Sequence, residues 1–112
     1  MTKIDIITRP EQLDTLKDAM NEIGITGMTV SHVLGCGIQK GRTHMYRGVP
    51  YDINLLPKIK FEIVVCEVPV EKVVETAKKV LHTGEIGDGK IFVYPVQNVI
   101  KVRTGEEGLQ AL

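Results

Sequence analysis

The stretch from Thr83 to Lys90, TGEIGDGK, combines closely spaced glycines with a terminal lysine. Closely spaced glycines let backbone N–H groups converge on an anion, and the Lys90 ammonium adds a positive charge. The stretch matches the GxxxxGK part of a phosphate-binding loop, but Ile91 stands where that motif has a serine or threonine for magnesium. It also runs from a predicted helix to a predicted strand, the reverse of that motif. The string therefore fits both an anion-binding turn and a glycine helix cap followed by a tight turn.

Two other stretches carry polar side chains in patterns that could serve binding. Lys101 and Arg103 are two residues apart, so on a strand both would project from one face and could complete an anion site. A segment from about residue 37 to 56 joins two predicted strands that a hairpin would join in roughly two to five residues. This segment holds two of the three tyrosines and a surplus of basic side chains. We interpret it as a loop that contacts a partner rather than as a tolerated insertion.

The elements around these stretches follow the order β-α-β-β-α-β. Apolar residues alternate in the predicted strands and recur at spacings of three and four in two predicted helices. The order is typical of the ferredoxin-like fold of the α+β class, in which an antiparallel sheet carries both helices on one face. Because the strands are apolar on more than one face, we expect subunit association to cover the other face. The predicted strands are residues 3–8, 28–37, 59–65 and 91–96, with a possible fifth at 99–103, and the helices follow Pro10 and Pro69.

Length and composition limit the possible functions. The 112 residues predict a single domain over 1–112, and the 14 basic side chains balance the 14 acidic ones, which argues against direct nucleic-acid binding. Apolar runs are too short to span a membrane, and Met1 leads straight into a strand pattern, so no secretory signal is expected. Cys36 and Cys66 form no framework, which indicates reduced thiols in the cytosol. Because no base stands against a nucleophile, we expect no catalytic residues and a binding protein rather than an enzyme.

Taken in register, these motifs resemble the PII nitrogen-signalling family over essentially all 112 residues. The subgroup that partners ammonium channels is the most similar. The resemblance is carried by Gly27-Met28-Thr29-Val30, Gln39-Lys40-Gly41, Tyr46-Arg47-Gly48 with Tyr51, Leu56-Pro57-Lys58, Thr83-Gly84, Gly87 to Val93, and Arg103-Thr104-Gly105-Glu106.

The resemblance implies an allosteric signalling protein, a homotrimer of ferredoxin-like subunits, with a partner-binding loop, a phosphate loop near 82–91 and a C-terminal loop near 101–112. ATP and ADP would compete for three sites between subunits. Lys101 and Arg103 would reach in from the neighbouring subunit, and Gly27, Met28 and Thr29 would line the adenine and ribose end. The implied nucleotide-binding residues are Gly27, Met28, Thr29, Gly35, Gly37, Ile38, Glu62, Val64, Gly87, Asp88, Gly89, Lys90, Lys101 and Arg103.

The resemblance also implies that 2-oxoglutarate binds as a second ligand beside ATP and Mg²⁺. Two anions can share a site only if a cation bridges them. Gln39 would ligate Mg²⁺, Lys58 would pair with the distal carboxylate of 2-oxoglutarate, and backbone N–H groups of Ile38, Gln39, Lys40 and Gly41 would cap this ligand.

The partners implied are an ammonium channel at the membrane and other nitrogen-metabolism enzymes or regulators. Arg47 would plug the cytoplasmic mouth of the channel when 2-oxoglutarate is low. The protein would be cytoplasmic and would reach the membrane reversibly through the channel. Tyr51 matches the tyrosine that some relatives uridylylate.

Two positions depart from the family pattern. Many members carry an arginine at the position of Ile38, and Lys101 replaces a common arginine, which keeps the charge but loses the bidentate fork. We expect fewer phosphate contacts as a result. Two alternatives stay open, namely a nucleotide sensor that does not respond to 2-oxoglutarate and a small ATP-hydrolysing enzyme on the same fold.

Overall fold

The computed structural model describes the backbone of residues 1–39, 45–46, 49–50 and 52–112, and the side chains of residues 1–36 and 55–112. Its elements, in chain order, are β1 (Thr2–Thr8), α1 (Leu13–Glu22), β2 (Thr29–Gln39), β3 (Met45–Tyr46), β4 (Val49–Pro50), β5 (Asp52–Val65), α2 (Val70–Leu81) and β6 (Lys90–Pro95). Short 3₁₀ turns cover Pro10–Gln12 and Gly108–Ala111.

Strands β1 and β5 lie at the centre of an antiparallel sheet with the order β2-β5-β1-β6. Helix α1 connects β1 to β2 across β5, and α2 connects β5 to β6 across β1. The chain therefore forms two interleaved β-α-β units, which confirms the predicted ferredoxin-like α+β fold. The short strands β3 and β4 pair only with each other.

One face of this sheet forms the core together with both helices. Ile4 lies opposite Ile63 and Ile6 opposite Phe61, and all four side chains are buried. They belong to one cluster with the inward-facing residues of both helices, Leu16, Met20, Val73, Ala77 and Leu81. Burying each large aliphatic or aromatic side chain contributes roughly 1.5–3 kcal/mol, so this face alone can hold the two helices in place.

The opposite face, which we call the open face, carries a network of charges instead of helices. Asp5 lies at its centre with its side chain only 3% exposed, and Tyr94 Oη donates to Asp5 Oδ2 over 2.8 Å. Lys3 and Lys60 place their ammonium groups 3.6 and 3.7 Å from the Asp5 carboxylate, and both also pair with Glu62. The hydrogen bond to Asp5, followed by desolvation, raises the pKa of Tyr94.

The pairing of β2 with β5 continues well beyond the core. The last pairs are Gly37 with Asn54, Ile38 with Ile53 and Gln39 with Asp52, so residues 40–51 connect the two strands. The predicted bounds of about 37–56 for the connecting loop are therefore too wide. The sequence does not indicate this extension of β2 and β5, because the nearest described side chains are no longer buried and burial there imposes no alternating pattern. Leu34, Leu55 and Leu56 are exposed.

The predicted fifth strand at 99–103 is wrong. Ile100 forms a single bridge with Glu107, and Gly105 N donates to Lys101 O over 2.8 Å, which closes a turn between them. Asn98 fixes the base of this turn, because its Oδ1 accepts from the amides of Val99 and Gly108. Within the described ranges, no helix is both long and apolar enough to cross a membrane.

Candidate functional site

Three successive carbonyl groups of the glycine turn point toward the end of β1 and the middle of β5. Arg9 Nη2 donates to Ile86 O over 2.7 Å, Lys58 Nζ to Gly87 O over 3.3 Å, and Thr8 Oγ1 to Asp88 O over 2.9 Å. All three donors come from the two central strands or the residue that follows β1. The turn is therefore held by side chains far from it in sequence.

This arrangement orients the backbone amides on the other side of the turn. In a planar trans peptide the N–H points opposite to the C=O of the preceding residue. Fixing the carbonyls of Ile86, Gly87 and Asp88 therefore directs the amides of Gly87, Asp88 and Gly89 away from β1 and β5. Successive backbone amides in a glycine turn form an anion-binding concavity, so the observed geometry favours the anion-binding interpretation of the string.

The carboxylate of Asp88 organises the turn from inside. It accepts hydrogen bonds from the amides of Thr83 and Gly84 at 2.8 and 2.9 Å, from Thr83 Oγ1, and from Arg9 Nη1 at 2.9 Å. The hydrogen bonds from Thr83, ahead of those from Gly84 and Arg9, hold the pKa of Asp88 well below its ordinary value. The side chain is thus ionised and fully used within the protein, and only the Asp88 backbone can face an anion.

Two glycines of the turn are required by geometry. Gly87 and Gly89 have φ values of 104° and 114°, which disfavour other residues. A Cβ at Gly89 would overlap the carbonyl oxygen of Ile7 and lie 3.1 Å from Thr8 Cα. The turn can therefore approach β1 this closely only with glycine at 89. Lys90 follows as the exposed first residue of β6, where it pairs with Ile7.

A second concave region lies farther along the open face. Thr29 pairs directly with Glu62, and both line a cavity of about 460 Å³ with Gly27, Val64 and the C-terminal Leu112. Glu62 lies four positions after Lys58 on β5, which places the cavity and the glycine turn about 13 Å apart along the strand. Met28 instead packs its side chain against the core.

Gly35 explains how Lys58 reaches the turn. A Cβ at Gly35 would lie 3.1 Å from Lys58 Cγ and 3.6 Å from Cε. The missing side chain on β2 therefore leaves room for the Lys58 stem to pack on the backbone while its ammonium extends to Gly87. Strand register places Thr29, Gly35, Glu62 and Val64 on the same open face as Lys58.

The structure does not bring every predicted residue to this region. Among the hydrogen bonds and ion pairs of the described residues, none joins Lys101 or Arg103 to the glycine turn; both lie in the C-terminal turn, where Val102 between them is 97% exposed. Gly37 is described only by its strand pairing with Asn54. The side chains of Ile38 and Gln39, and all of Lys40, Gly41, Arg47 and Tyr51, lie outside the described residues.

Sequence reasoning did not assign Thr8 or Arg9 to the site, and it named Thr83 only as the first residue of the glycine stretch. Arg9 lies just after β1, and its guanidinium makes two contacts in the turn. One signal was present for Thr8, a polar residue that continues the buried alternation of Ile4 and Ile6 and is itself 1% exposed. The partners are about 80 residues apart, so neither periodicity nor motif spacing could pair them.

Comparison with known proteins is consistent with this geometry. The family model "Nitrogen regulatory protein P-II" matches residues 1–106. The chain is 54% identical over 112 residues to a Nitrogen regulatory PII-like protein of Bacillus subtilis, covering 100% of this chain and 97% of that protein. It is 53% identical over 107 residues to Nitrogen regulatory protein P-II 1 of Escherichia coli K12, covering 96% of each.

Solved structures are similar as well. A B. subtilis GlnK-ATP complex superposes with a TM-score of 0.87 at 53% identity, over 99% of this chain and 96% of that one. These relatives are regulatory signalling proteins and not enzymes. The chain therefore belongs to the nitrogen regulatory protein P-II family, and it is a signalling protein rather than an enzyme.

Proposed function

We propose that this protein is a homotrimeric sensor of ATP, ADP and 2-oxoglutarate that regulates nitrogen assimilation by presenting its long loop to partners. The observation that carries the proposal is the glycine turn, whose carbonyls are fixed by Thr8, Arg9 and Lys58 so that three successive amides face away. This turn suits a polyphosphate, because each amide can donate to an anionic oxygen at no cost in reorganisation.

The position of the second cavity supports a nucleotide as the ligand. A separation of about 13 Å along β5 suits one extended molecule with phosphates at the turn and a base near Thr29, Glu62 and Val64. The similar GlnK structure was solved with ATP. Gly27, Gly35, Gly87, Gly89 and Lys90 would complete the site within one subunit, with Met28, Gly37, Ile38 and the backbone of Asp88.

The trimer would supply the remaining cations. Lys101 and Arg103 project on a turn closed by its own hydrogen bonds and do not contact the glycine turn of their own chain among the described residues. A neighbouring subunit can therefore receive both. The open face, with exposed Phe92 and Tyr94 beside the Asp5 network, is the surface we assign to that association.

Binding of 2-oxoglutarate would use Lys58 and the base of the long loop. Gln39 would ligate Mg²⁺ that bridges ATP and the 2-oxo acid, and the amides of Ile38 to Gly41 would hold the carboxylate. In the present register Gln39 pairs with Asp52, six positions beyond the Val33–Lys58 pair, about 20 Å along the strands. One small dicarboxylate can meet both residues only if the outer β2–β5 pairs separate, so effector binding would change the loop at its base.

The experiment that tests the sensor is titration calorimetry of 2-oxoglutarate into the protein with Mg²⁺ and ATP present and then absent. We expect binding only in their presence, and its loss in Lys58→Gln but not in Lys78→Gln, which removes an exposed cation from α2. If ATP binds and 2-oxoglutarate never does, the protein is a nucleotide sensor alone, and Ile38 is the first position to exchange for arginine.

The proposed channel partner needs a separate test. Vesicles that contain an ammonium channel would be sedimented with the protein and ADP, and again with ATP, Mg²⁺ and 2-oxoglutarate. We expect co-sedimentation in the first condition, release in the second, and loss in Arg47→Ala. Equal co-sedimentation with empty vesicles would exclude the channel as the binding partner. Uridylylation of Tyr51 would modify the same loop. Other nitrogen-metabolism partners would also bind through it.

A further inference from the structure

We propose that Arg9 is the positioning residue of the glycine turn, and that it presents the anion-binding amides without touching the anion. The inference rests on the proposed nucleotide function of that turn. Arg9 lies just after β1, and its two terminal nitrogens contact two different groups of the turn. Nη2 donates to Ile86 O over 2.7 Å and Nη1 to Asp88 Oδ1 over 2.9 Å.

These two contacts fix the peptide between them. Ile86 and Asp88 flank Gly87, and a Cβ at Gly87 would lie 3.1 Å from Arg9 Nη2 and 3.5 Å from Nε. The guanidinium therefore lies close beside Gly87, while its two terminal nitrogens contact the residues on either side. A lysine ammonium is a single point charge and cannot hold two such groups in a fixed relative orientation.

Arg9 also removes an electrostatic obstacle. The Asp88 carboxylate is ionised and lies in the turn that would receive phosphates, so its negative charge would repel them. The guanidinium neutralises this charge at 2.9 Å in a contact that is about three-quarters shielded from solvent on each side. An anion at the amides of Gly87, Asp88 and Gly89 thus meets an Asp88 carboxylate that is already paired.

Lys58 and Arg9 differ in how firmly they hold the turn. Lys58 makes one contact of 3.3 Å to Gly87 O, whereas Arg9 makes two shorter contacts, one of them to the Asp88 carboxylate, in which both partners are charged. If Lys58 leaves Gly87 to pair with a carboxylate ligand, Arg9 and Thr8 still hold the flanking carbonyls. The turn can therefore keep the nucleotide while Lys58 changes partner.

The test measures binding of ATP, ADP and adenosine by calorimetry to the full protein and to Arg9→Lys and Arg9→Gln. We expect ATP affinity to fall about tenfold or more in both variants, because each loses a charge-assisted contact, with a smaller fall for ADP and none for adenosine. Lys17→Gln, which removes an exposed cation on α1, should bind all three like the parent. Thermal unfolding of each variant shows whether the fold is intact.

Two further measurements separate positioning from direct contact with phosphate. In the ligand-free protein, the ¹⁵N shifts of Gly87, Asp88 and Gly89 should move in Arg9→Lys and stay unchanged in Lys17→Gln. Asp88→Asn should weaken ATP less in the Arg9→Gln background than alone, since both changes disturb one contact. Additive losses with unmoved amide shifts would show that Arg9 binds phosphate itself and would overturn the proposal.

The outcomes also separate this inference from the proposed function. If the parent protein binds neither ATP nor ADP, the nucleotide function fails, and the amide shifts alone decide whether Arg9 orders the turn. If the parent binds both and the Arg9 variants bind them equally well, the positioning role fails and the nucleotide function stands.

Discussion

Asp88 shows at the residue scale how a turn can depend on one ionised side chain. Its carboxylate accepts four hydrogen bonds, which lower its pKa in the folded state. A carboxyl with a lowered folded pKa stabilises the fold above its unfolded pKa of about 3.9, and this stabilisation is lost as pH falls toward the folded value. We expect Asp88→Asn to lower the urea midpoint at pH 7 and the difference from the parent to shrink below about pH 4.

The control for this prediction is Asp14→Asn at the same protomer concentration. Asp14 is 85% exposed and has only a 3.5 Å contact with Lys17, so its removal should leave the midpoint nearly unchanged across the pH range. A constant difference between Asp88→Asn and the parent down to pH 2 would show that the Asp88 hydrogen bonds do not require its charge.

Comparison of Gly89 with Gly84 distinguishes the cost of a steric clash from the cost of a positive φ. Both have positive φ, 114° and 87°, but a Cβ at Gly84 meets nothing within 4 Å, whereas one at Gly89 overlaps the Ile7 carbonyl oxygen. We expect Gly84→Ala to cost about 1–2 kcal/mol of unfolding free energy, the usual penalty of this conformation, and Gly89→Ala to cost more and to abolish ATP binding. Equal costs in urea unfolding would mean that the turn can retreat from β1.

At the element scale, the outer part of the β2–β5 ladder is the segment that the proposed 2-oxoglutarate binding would change. If Gln39 and Lys58 bind the same ligand, as proposed, the last three pairs, Gly37 to Gln39 with Asp52 to Asn54, would separate. We expect hydrogen exchange of residues 52–54 to accelerate about tenfold or more when 2-oxoglutarate is added to the complex with Mg²⁺ and ATP. Mass spectrometry of peptides from β5 measures this directly.

The inner part of the same strand is the internal control. Ile59, Phe61 and Ile63 are buried between β1 and the helices, so exchange over residues 59–63 should not change. The contrary outcome is that calorimetry shows saturation with 2-oxoglutarate while hydrogen exchange at residues 52–54 does not accelerate. The ladder would then stay paired, and Gln39 would be excluded as a ligand of Mg²⁺.

At the scale of the whole molecule, the site is predicted to be complete only between subunits. Lys90 belongs to one chain, whereas Arg103 is expected from its neighbour. We expect Lys90→Ala and Arg103→Ala each to bind ATP poorly, and subunits of the two variants, unfolded together and refolded, to recover about one quarter of the sites, because random trimers pair intact residues at that frequency.

Sedimentation provides the accompanying measurement, with an expected mass about three times the 12.4 kDa of one chain. Phe92→Glu places a charge on the open face, where the native side chain is 40% exposed, and should yield a folded monomer. If both variants are trimeric and their mixture recovers no ATP binding, Lys90 and Arg103 of one chain would contribute to the same site.

Local patterns in the sequence were enough to predict the fold and the family. Alternation in the strands and the helical spacing after Pro10 and Pro69 arise from burying one face of each element, and that pattern is local enough to be seen in a single chain. The motifs from Gly27 to Glu106 were equally local, since each is a short string in register with the next. For the same reason the sequence indicated an anion-binding turn between α2 and β6, although it left the helix cap as an alternative.

The contacts that hold that turn can be seen only in the folded chain. The donors Thr8, Arg9 and Lys58 lie about 29 to 80 residues from the carbonyls that they contact, and only the adjacency of β1, β5 and β6 brings them together. The tertiary structure also shows that the Asp88 carboxylate lies inside the turn and that β2 and β5 reach Gln39 and Asp52. Local patterns report which side of an element is buried, whereas contacts between distant strands depend on their order and register, which no single stretch of sequence contains.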